Sequence, residues 1–389
     1  MKVLILHQYF NTPKTGGPLR SYYLARALAD RGITTAVITT HNGTGFRKES
    51  VEGIEVHYLP IPYSNNFGSF KRVSSFLKFV FSIVKAAAKF RDYDSCYAIS
   101  TPLTIGLAAI WIKWRYKIPY IFEVGDLWPE APIQVGIVKN PLLKRILYQL
   151  ERSIYKRAKL IVALSDSIRK AIAEKVPGKQ IEVIPNMSDT DYYYPSDKTP
   201  SLEEKFGVQN KFVLSYIGTF GLANGLEQIL ACAQAVKNEP IHFILCGEGA
   251  RHEDLLAYAK HQQLNNVSFV SMQDRNGVNE VLNVTDAAFI SYQPLPVLET
   301  GSPNKYFDAL AAGKMIVVNF GGWIKNEVEE AGCGIYINPT APDDFLNKIR
   351  LALHDQKELK KMQQASRNLA ERRYSRRQLS GRFVKIFID

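Results

Sequence analysis

Cysteine is scarce in this 389-residue chain. Cys96, Cys232, Cys246 and Cys333 are scattered with neither metal-ligand nor redox spacing, which leaves no disulfide framework and fits buried thiols in a reducing compartment. Low-complexity tracts are missing, and 46% of residues are hydrophobic, so the chain reads as globular throughout. No signal peptide is read in the first residues either. The opening MKVLILHQYF has neither a long apolar core nor a small-residue cleavage site and reads as a first β-strand. The longest uncharged run, Ser95 to Ile112, is broken by Ser100, Thr101, Pro102 and Thr104, so it reads as a buried strand and a helix, not a membrane span. Gly16-Gly17 and Gly247-x-Gly249 complete neither a dinucleotide fingerprint nor a P-loop, and no His/Cys metal cluster stands out.

What is present is a regular alternation. Apolar runs at Val3–Leu6, Thr35–Ile38, Cys96–Ile99, Tyr120–Phe122 and Leu160–Leu164 are separated by helical stretches. The rhythm breaks at Ile184-Pro185-Asn186-Met187-Ser188 into a polar stretch reaching Pro200, and resumes at Phe212–Tyr216, Phe243–Cys246, Ser268–Val270, Ala287–Ile290 and Met315–Val318. This predicts an α/β protein of two doubly wound, parallel-sheet, Rossmann-like domains, 1–188 and 189–373, with a basic amphipathic helix over 374–389. In such sheets ligands bind beyond the carboxyl ends of the strands.

The net charge of +12 is unevenly placed. Residues 1–188 hold 27 Lys and Arg against 13 Asp and Glu, a balance of +14, while residues 189–389 hold 22 against 24, a balance of −2. The first half should therefore meet something anionic, a membrane face or nucleic acid. Between Phe67 and Arg91 there are six basic residues and no acidic one. Phe70, Val73, Leu77, Val80, Phe81, Val84 and Ala88 share a helical face there, widened by Phe76, Phe79 and Ile83, with Lys71, Lys78, Lys85 and Lys89 opposite. Such a helix is either an interfacial anchor or a core-packed helix with a solvated stripe.

Four segments carry candidate chemistry. In LETGSPNKYFDALAAGKMIVV, residues 298–318, Ser302 reads as N-cap, Pro303 as the first helical residue and Gly313 as the stop. Lys305 in the first turn opposes the helix dipole, which makes sense beneath a bound anion such as phosphate; otherwise it forms a surface ion pair with Asp308. Gly16-Gly17-Pro18, ahead of Arg20, and the loops bearing Gly218, Gly221, Gly225, Gly247 and Gly249 suit close backbone approach to a ligand, or ordinary turns. Asp126, in EVGDLWPE, follows a central strand and can orient a hydroxyl or cap a turn; Trp128-Pro129 suits packing on a sugar ring or in the core.

Together HQYFNTPKTGGPLRSYYLARALADRG, DLWPEAPIQVG, IPNMSDTDYYYP, YIGTFGLANGLEQIL and SPNKYFDALAAGK resemble the family-four retaining glycosyltransferases of the GT-B type, in the subgroup that builds bacterial polysaccharides and O-antigens on a lipid carrier. The resemblance implies two Rossmann-like domains facing across a cleft, a nucleotide-sugar donor held mainly by the second, and a last helix returning to the first. It places the diphosphate at Gly301, Ser302, Pro303, Asn304 and Lys305, the ribose at Asp308, and the other edge of the donor at Gly16 and Gly17, with Gly221, Gly247 and Arg275 also expected to bind the donor. Asp126 and Glu130 would face the acceptor, with Arg20 and Trp128 beside them. The sequence departs from the family at Thr300, where an acidic residue is expected one position from Glu299, and at Thr219 and Asn224, where many members carry Arg and Lys. Gly125 stands where many carry a histidine. Lys305, Arg275 and helix N-termini remain to neutralise the leaving group. The resemblance implies no metal or other cofactor, a UDP-sugar by family frequency and a polyprenyl-diphosphate-linked glycan acceptor, while the charge split between the halves and the apolar, basic segment from Phe67 to Arg91 add the expectation of peripheral attachment to the cytoplasmic face of an anionic membrane. A sugar-nucleotide epimerase or hydrolase on the same scaffold is the nearest alternative. A nucleic-acid-binding protein is disfavoured because no recognised binding motif is present.

Overall fold

Near-continuous apolar runs cannot face water on either side, and the strands they form occupy the middle of two sheets. The computed structural model describes residues 1–64 and 67–388; Asp389, the last residue of the expected 374–389 helix, lies outside them. One unit comprises Met1–Pro185, Thr300–Ser302 and Leu379–Asp389, the other Asn186–Glu299 and Pro303–Gln378.

The first unit has eight strands: β1 (Lys2–Leu6), β2 (Thr34–His41), β3 (Arg47–Val51), β4 (Ile54–Pro60), β5 (Ser95–Ile99), β6 (Tyr120–Val124), β7 (Leu160–Ala163) and β8 (Ile181–Val183). Their order is β3-β4-β2-β1-β5-β6-β7-β8, with every pairing parallel except β3 with β4. That antiparallel hairpin, like β8, escaped the pattern reading because β3 is almost wholly polar and exposed. Its two-residue turn places Glu52 and Gly53 at φ 46° and 84°, as a primed turn requires. Tyr22 Oη, donating to Glu52 Oε2 at 2.6 Å, and Arg26, donating to the Glu52 carbonyl at 3.0 Å, hold it.

The second unit has six parallel strands, β9 (Phe212–Ile217), β10 (Ile241–Cys246), β11 (Val267–Val270), β12 (Ala287–Ile290), β13 (Met315–Val318) and β14 (Gly334–Tyr336), ordered β11-β10-β9-β12-β13-β14. Phe243, Leu245, Phe289, Val317 and Phe345 pack on one face, and Val213, Ile244 and Val281 on the other. Connections run one way from β9 and the other way from β12. The loops after these two strands therefore diverge, leaving a crevice at the carboxyl end of the sheet.

The polar stretch after Pro185 is not a free tether. Arg367 donates to the carbonyls of Thr190, Tyr193 and Ala311, and Ser188 Oγ donates to the Phe307 carbonyl at 2.8 Å, fixing it to the second unit. The helix Ser69–Ala86 also differs from expectation. Phe76, Phe79, Val80 and Ile83, spaced i, i+3, i+4, i+7, form its buried face, while Phe70, Val73, Leu77 and Phe81 form an exposed stripe beside Lys71, Lys78 and Lys85. Phe70 is 87% exposed and Phe81 65%. The helix is thus packed on the core along one face and leaves an apolar stripe exposed beside the lysines on the next.

Candidate active site

In the second unit the carboxyl ends of β9 and β10 are held together by backbone contact. A Cβ on Gly247 would fall 1.8 Å from the Gly218 carbonyl oxygen, and one on Gly249 would fall 2.5 Å from that of Phe220. Gly218 N–H donates to the Cys246 carbonyl at 2.9 Å and Phe220 N–H to that of Glu248 at 2.8 Å. Gly247, expected to border the donor, is glycine because another loop occupies the space of a side chain. Gly221 donates its N–H to Asn224 Oδ1 at 3.3 Å, so Asn224 stabilises the loop from within.

Lys305 faces this crevice. The helix that carries it spans Asn304–Ala311, one residue later than expected, with Pro303 and not Ser302 at the N-cap and no side-chain cap; Lys305 remains in its first turn. Proline sits there because it brings no N–H to satisfy and Asn304 begins the helix without strain. Lys305 Nζ donates to Tyr216 Oη at 2.6 Å and lies 4.0 Å from the centre of the Tyr216 ring and 5.7 Å from that of Tyr292. Tyr216 Oη in turn donates to the Thr219 carbonyl at 2.9 Å. A Cβ on Gly218 would come within 3.0 Å of Lys305 Cε, so glycine there makes room for the lysine. The Asp308 ion pair is not formed, and no carboxylate pairs with this ammonium among the described residues. Burial pulls the Lys305 pKa down to about 7.

One turn on, Asp308 accepts no side-chain hydrogen bond among the described residues. Burial pushes its pKa up to about 7, against the pull of Arg275 and with a further push from Asp189. Arg275 itself is not available as an unpaired counter-charge. Its guanidinium pairs with Asp189 and lies 3.6 Å from the centre of the Tyr192 ring, at the start of the helix Arg275–Val284. Gly301 and Ser302 are buried and group with the first unit, where Ser165 Oγ donates to the Thr300 carbonyl at 2.6 Å. Asn304 is partly exposed.

The first unit divides its candidates more sharply. Asp126 stands exposed just past β6, with no hydrogen-bond or ion-pair partner among the described residues, so it caps no turn. Trp128 beside it is half-buried. Glu130, expected to face an acceptor, instead pairs with Lys175, which also donates to Glu151 at 2.8 Å and 2.9 Å. Arg20 is likewise engaged elsewhere: it forks onto both Glu123 oxygens, at 3.0 Å and 2.8 Å, and donates to the carbonyls of Ile184 and Pro185. Its side chain is 9% exposed and that of Glu123 2%, a buried pair that ties the end of the first unit to its sheet. Gly16 and Gly17 adopt φ of 72° and 79° in a turn closed by the Gly16 N–H on the Thr12 carbonyl.

Residues 15–187 match the family model described as Glycosyl transferase 4-like domain, and residues 198–369 match that described as Glycosyl transferases group 1. The chain is a family-4 glycosyltransferase. The enzyme is 25% identical over 275 residues to WbjE, a probable glycosyltransferase of Pseudomonas aeruginosa, and 22% identical over 274 residues to WcaI, a putative colanic acid biosynthesis glycosyl transferase of Escherichia coli K12. These matches cover 69% and 68% of this chain, and 68% and 66% of the two relatives. The chain thus spans about two thirds of each relative's length. HepE of Anabaena, solved in complex with UDP-glucose, shares the fold at a TM-score of 0.72 and 18% identity, over 100% of this chain and 99% of that one. The two parallel-sheet α/β domains are those of the GT-B glycosyltransferases.

Tyr216 and Tyr292 were missed as neighbours of Lys305, although each follows or ends an apolar run at a strand's carboxyl end. His7 was missed as well: it follows β1, its ring shares a 2.9 Å hydrogen bond with Ser21 Oγ, and burial lowers its pKa to about 4, with a smaller opposing pull from Glu123. Its position directly after the first strand was the available signal.

Proposed function

We propose that this glycosyltransferase moves a hexosyl group with retention from a UDP-sugar to a polyprenyl-diphosphate-linked glycan in bacterial surface polysaccharide synthesis. The observation that carries the reading is Lys305, a partly buried ammonium with no carboxylate partner at the carboxyl end of the second sheet. A diphosphate supplies the missing counter-charge, and Asp308 is placed one turn along the same helix to accept from ribose hydroxyls. As the anomeric carbon–oxygen bond breaks, its electron pair passes to the diphosphate, whose growing charge Lys305 stabilises. The acceptor oxygen bonds to the anomeric carbon on the face that the diphosphate leaves, and its proton passes to a phosphate oxygen. Asp126, exposed and unpaired, orients the acceptor hydroxyl. UDP is favoured because HepE, which shares the fold, was solved with UDP-glucose.

The membrane part of the reading rests on the exposed stripe Phe70, Val73, Leu77 and Phe81 beside three lysines, with Leu142, Leu143 and Ile146 similarly exposed beside Lys144 and Arg145. No described helix is long and apolar enough to cross a membrane. Apolar side chains flanked by cations suit the boundary between headgroups and acyl chains on an anionic leaflet. A thermal-shift screen of UDP, GDP, dTDP and CMP tests the donor: UDP should raise the melting temperature of wild type and fail to raise that of Lys305→Ala. Flotation with vesicles tests the surface. Binding should require anionic lipid and weaken when Lys71, Lys78, Lys85 and Lys89 are replaced by glutamine; flotation of the quadruple variant like wild type would leave a soluble acceptor.

A further inference from the structure

A groove of about 820 Å³ opens in the second domain at the end of the sheet opposite Lys305. The sheet is parallel, so the residues just before β12 and β13, Asp286 and Lys314, line this groove, whereas Gly218 and Gly247 follow their strands. Lys314 is the unusual member. Only 5% exposed, it forms no side-chain hydrogen bond or ion pair among the described residues. The charges that act on it are Asp286, which attracts it, and Lys198, which repels it. Asp286 is already engaged: it accepts from Lys198 Nζ at 2.5 Å and from the Val213 N–H at 2.7 Å. The carboxylate that attracts Lys314 is thus already paired with Lys198, and burial pulls the Lys314 pKa down to about 8. A lysine in this state is costly, since a charge drawn into a largely buried setting without an ion-pair partner is destabilising.

We propose that this groove is a second ligand site, which binds a small phosphorylated, hydroxyl-bearing molecule through Lys314. The phosphate completes the charge balance of the floor. The rim carries Lys211 and Lys360 as further cations beside the carboxylates of Asp197 and Glu203, and Asn210, Gln356 and Gln364 as hydrogen-bonding groups for hydroxyls. The volume lies within the range of small-molecule sites and far exceeds a bare phosphate ion. The site shares no residue with the donor crevice, so it is independent of the donor reading.

Competitive labelling of the full-length protein tests it. Lysines are acetylated with limiting acetic anhydride at constant ionic strength, and peptide mass spectrometry reads the rates at Lys314 and Lys305. Glucose 6-phosphate should slow labelling of Lys314 at least five-fold without protecting Lys305, with inorganic phosphate weaker on a molar scale. The ester should also raise the melting temperature of wild type and of Lys305→Ala, but not that of Lys314→Met. Unchanged labelling of Lys314, failure of Lys314 to react while Lys305 does, or a melting shift that persists in Lys314→Met would each overturn the site. Equal protection by inorganic phosphate would overturn the hydroxyl-bearing ligand. If Lys314→Met fails to fold, the labelling of wild type decides.

Discussion

The affinity of the enzyme for UDP should fall as pH rises above 7, because the diphosphate binds the ammonium form of Lys305. With the lysine at about 7 in the ligand-free protein, about half carries the proton at pH 7 and about one hundredth at pH 9. If only the charged form binds, the apparent dissociation constant grows roughly 50-fold over that interval, about 2.3 kcal/mol at about 1.4 kcal/mol per tenfold change. The phosphate's own ionisation near pH 6 is nearly complete by then, and Asp308, raised to about 7, is mostly ionised above pH 8. The steep region between pH 8 and 9 therefore reports Lys305. Calorimetry in two buffers of different ionisation heat should show uptake approaching one proton per UDP there. Lys305→Arg keeps its charge throughout and should bind with a flat profile. The ligand-free protein should show the opposite trend. A lysine whose folded pKa lies below 10.5 binds fewer protons folded than unfolded between pH 7 and 10.5, so its contribution to stability rises with pH across that window. Affinity constant within two-fold from pH 7 to 9, or an arginine variant with the wild-type slope, would refute the pairing.

Asp308→Asn should weaken UDP binding by about 1–2 kcal/mol, of the order of a hydrogen bond to a charged group, and leave binding of inorganic pyrophosphate unchanged; titration calorimetry with both ligands checks this. Asp126→Asn should bind UDP like wild type and transfer sugar slowly, so kcat falls while donor affinity holds; normal turnover would reduce Asp126 to a surface residue. Arg20→Met leaves Glu123 in a buried site without its counter-charge, with Tyr97 Oη still donating to it, and should cost about 3–5 kcal/mol in urea unfolding, more than removal of an exposed pair such as Lys205 with Glu280.

Long apolar runs make most of the architecture legible in the sequence. β1, β5, β6 and β7 are buried along nearly their whole length, so each reads as an uninterrupted hydrophobic word. β3, with exposed RKESV, and the short, half-buried β8 and β14 carry no such signal, because edge strands need little apolar surface. The candidate site was legible where a residue's chemistry contradicts its local setting, as a lysine in a helix's first turn does. It was illegible where partners are distant in sequence. Nothing near Arg20 announces Glu123, 103 positions away, or that the pair would occupy a residue expected beside the acceptor. Nothing near Arg275 announces Asp189, 86 positions away.

The interlocked glycines at the ends of β9 and β10 bear on how donor preference could be redesigned. A library randomised at Gly247 and Gly249 would return mostly misfolded clones, since any side chain there collides with a neighbouring main chain before it can meet a sugar. Productive diversity is confined to residues that project from the frame without forming it, such as half-exposed Leu222 and the partly exposed Tyr292. A combinatorial screen seeded at these two positions samples new pocket shapes while the scaffold beneath them stays constant.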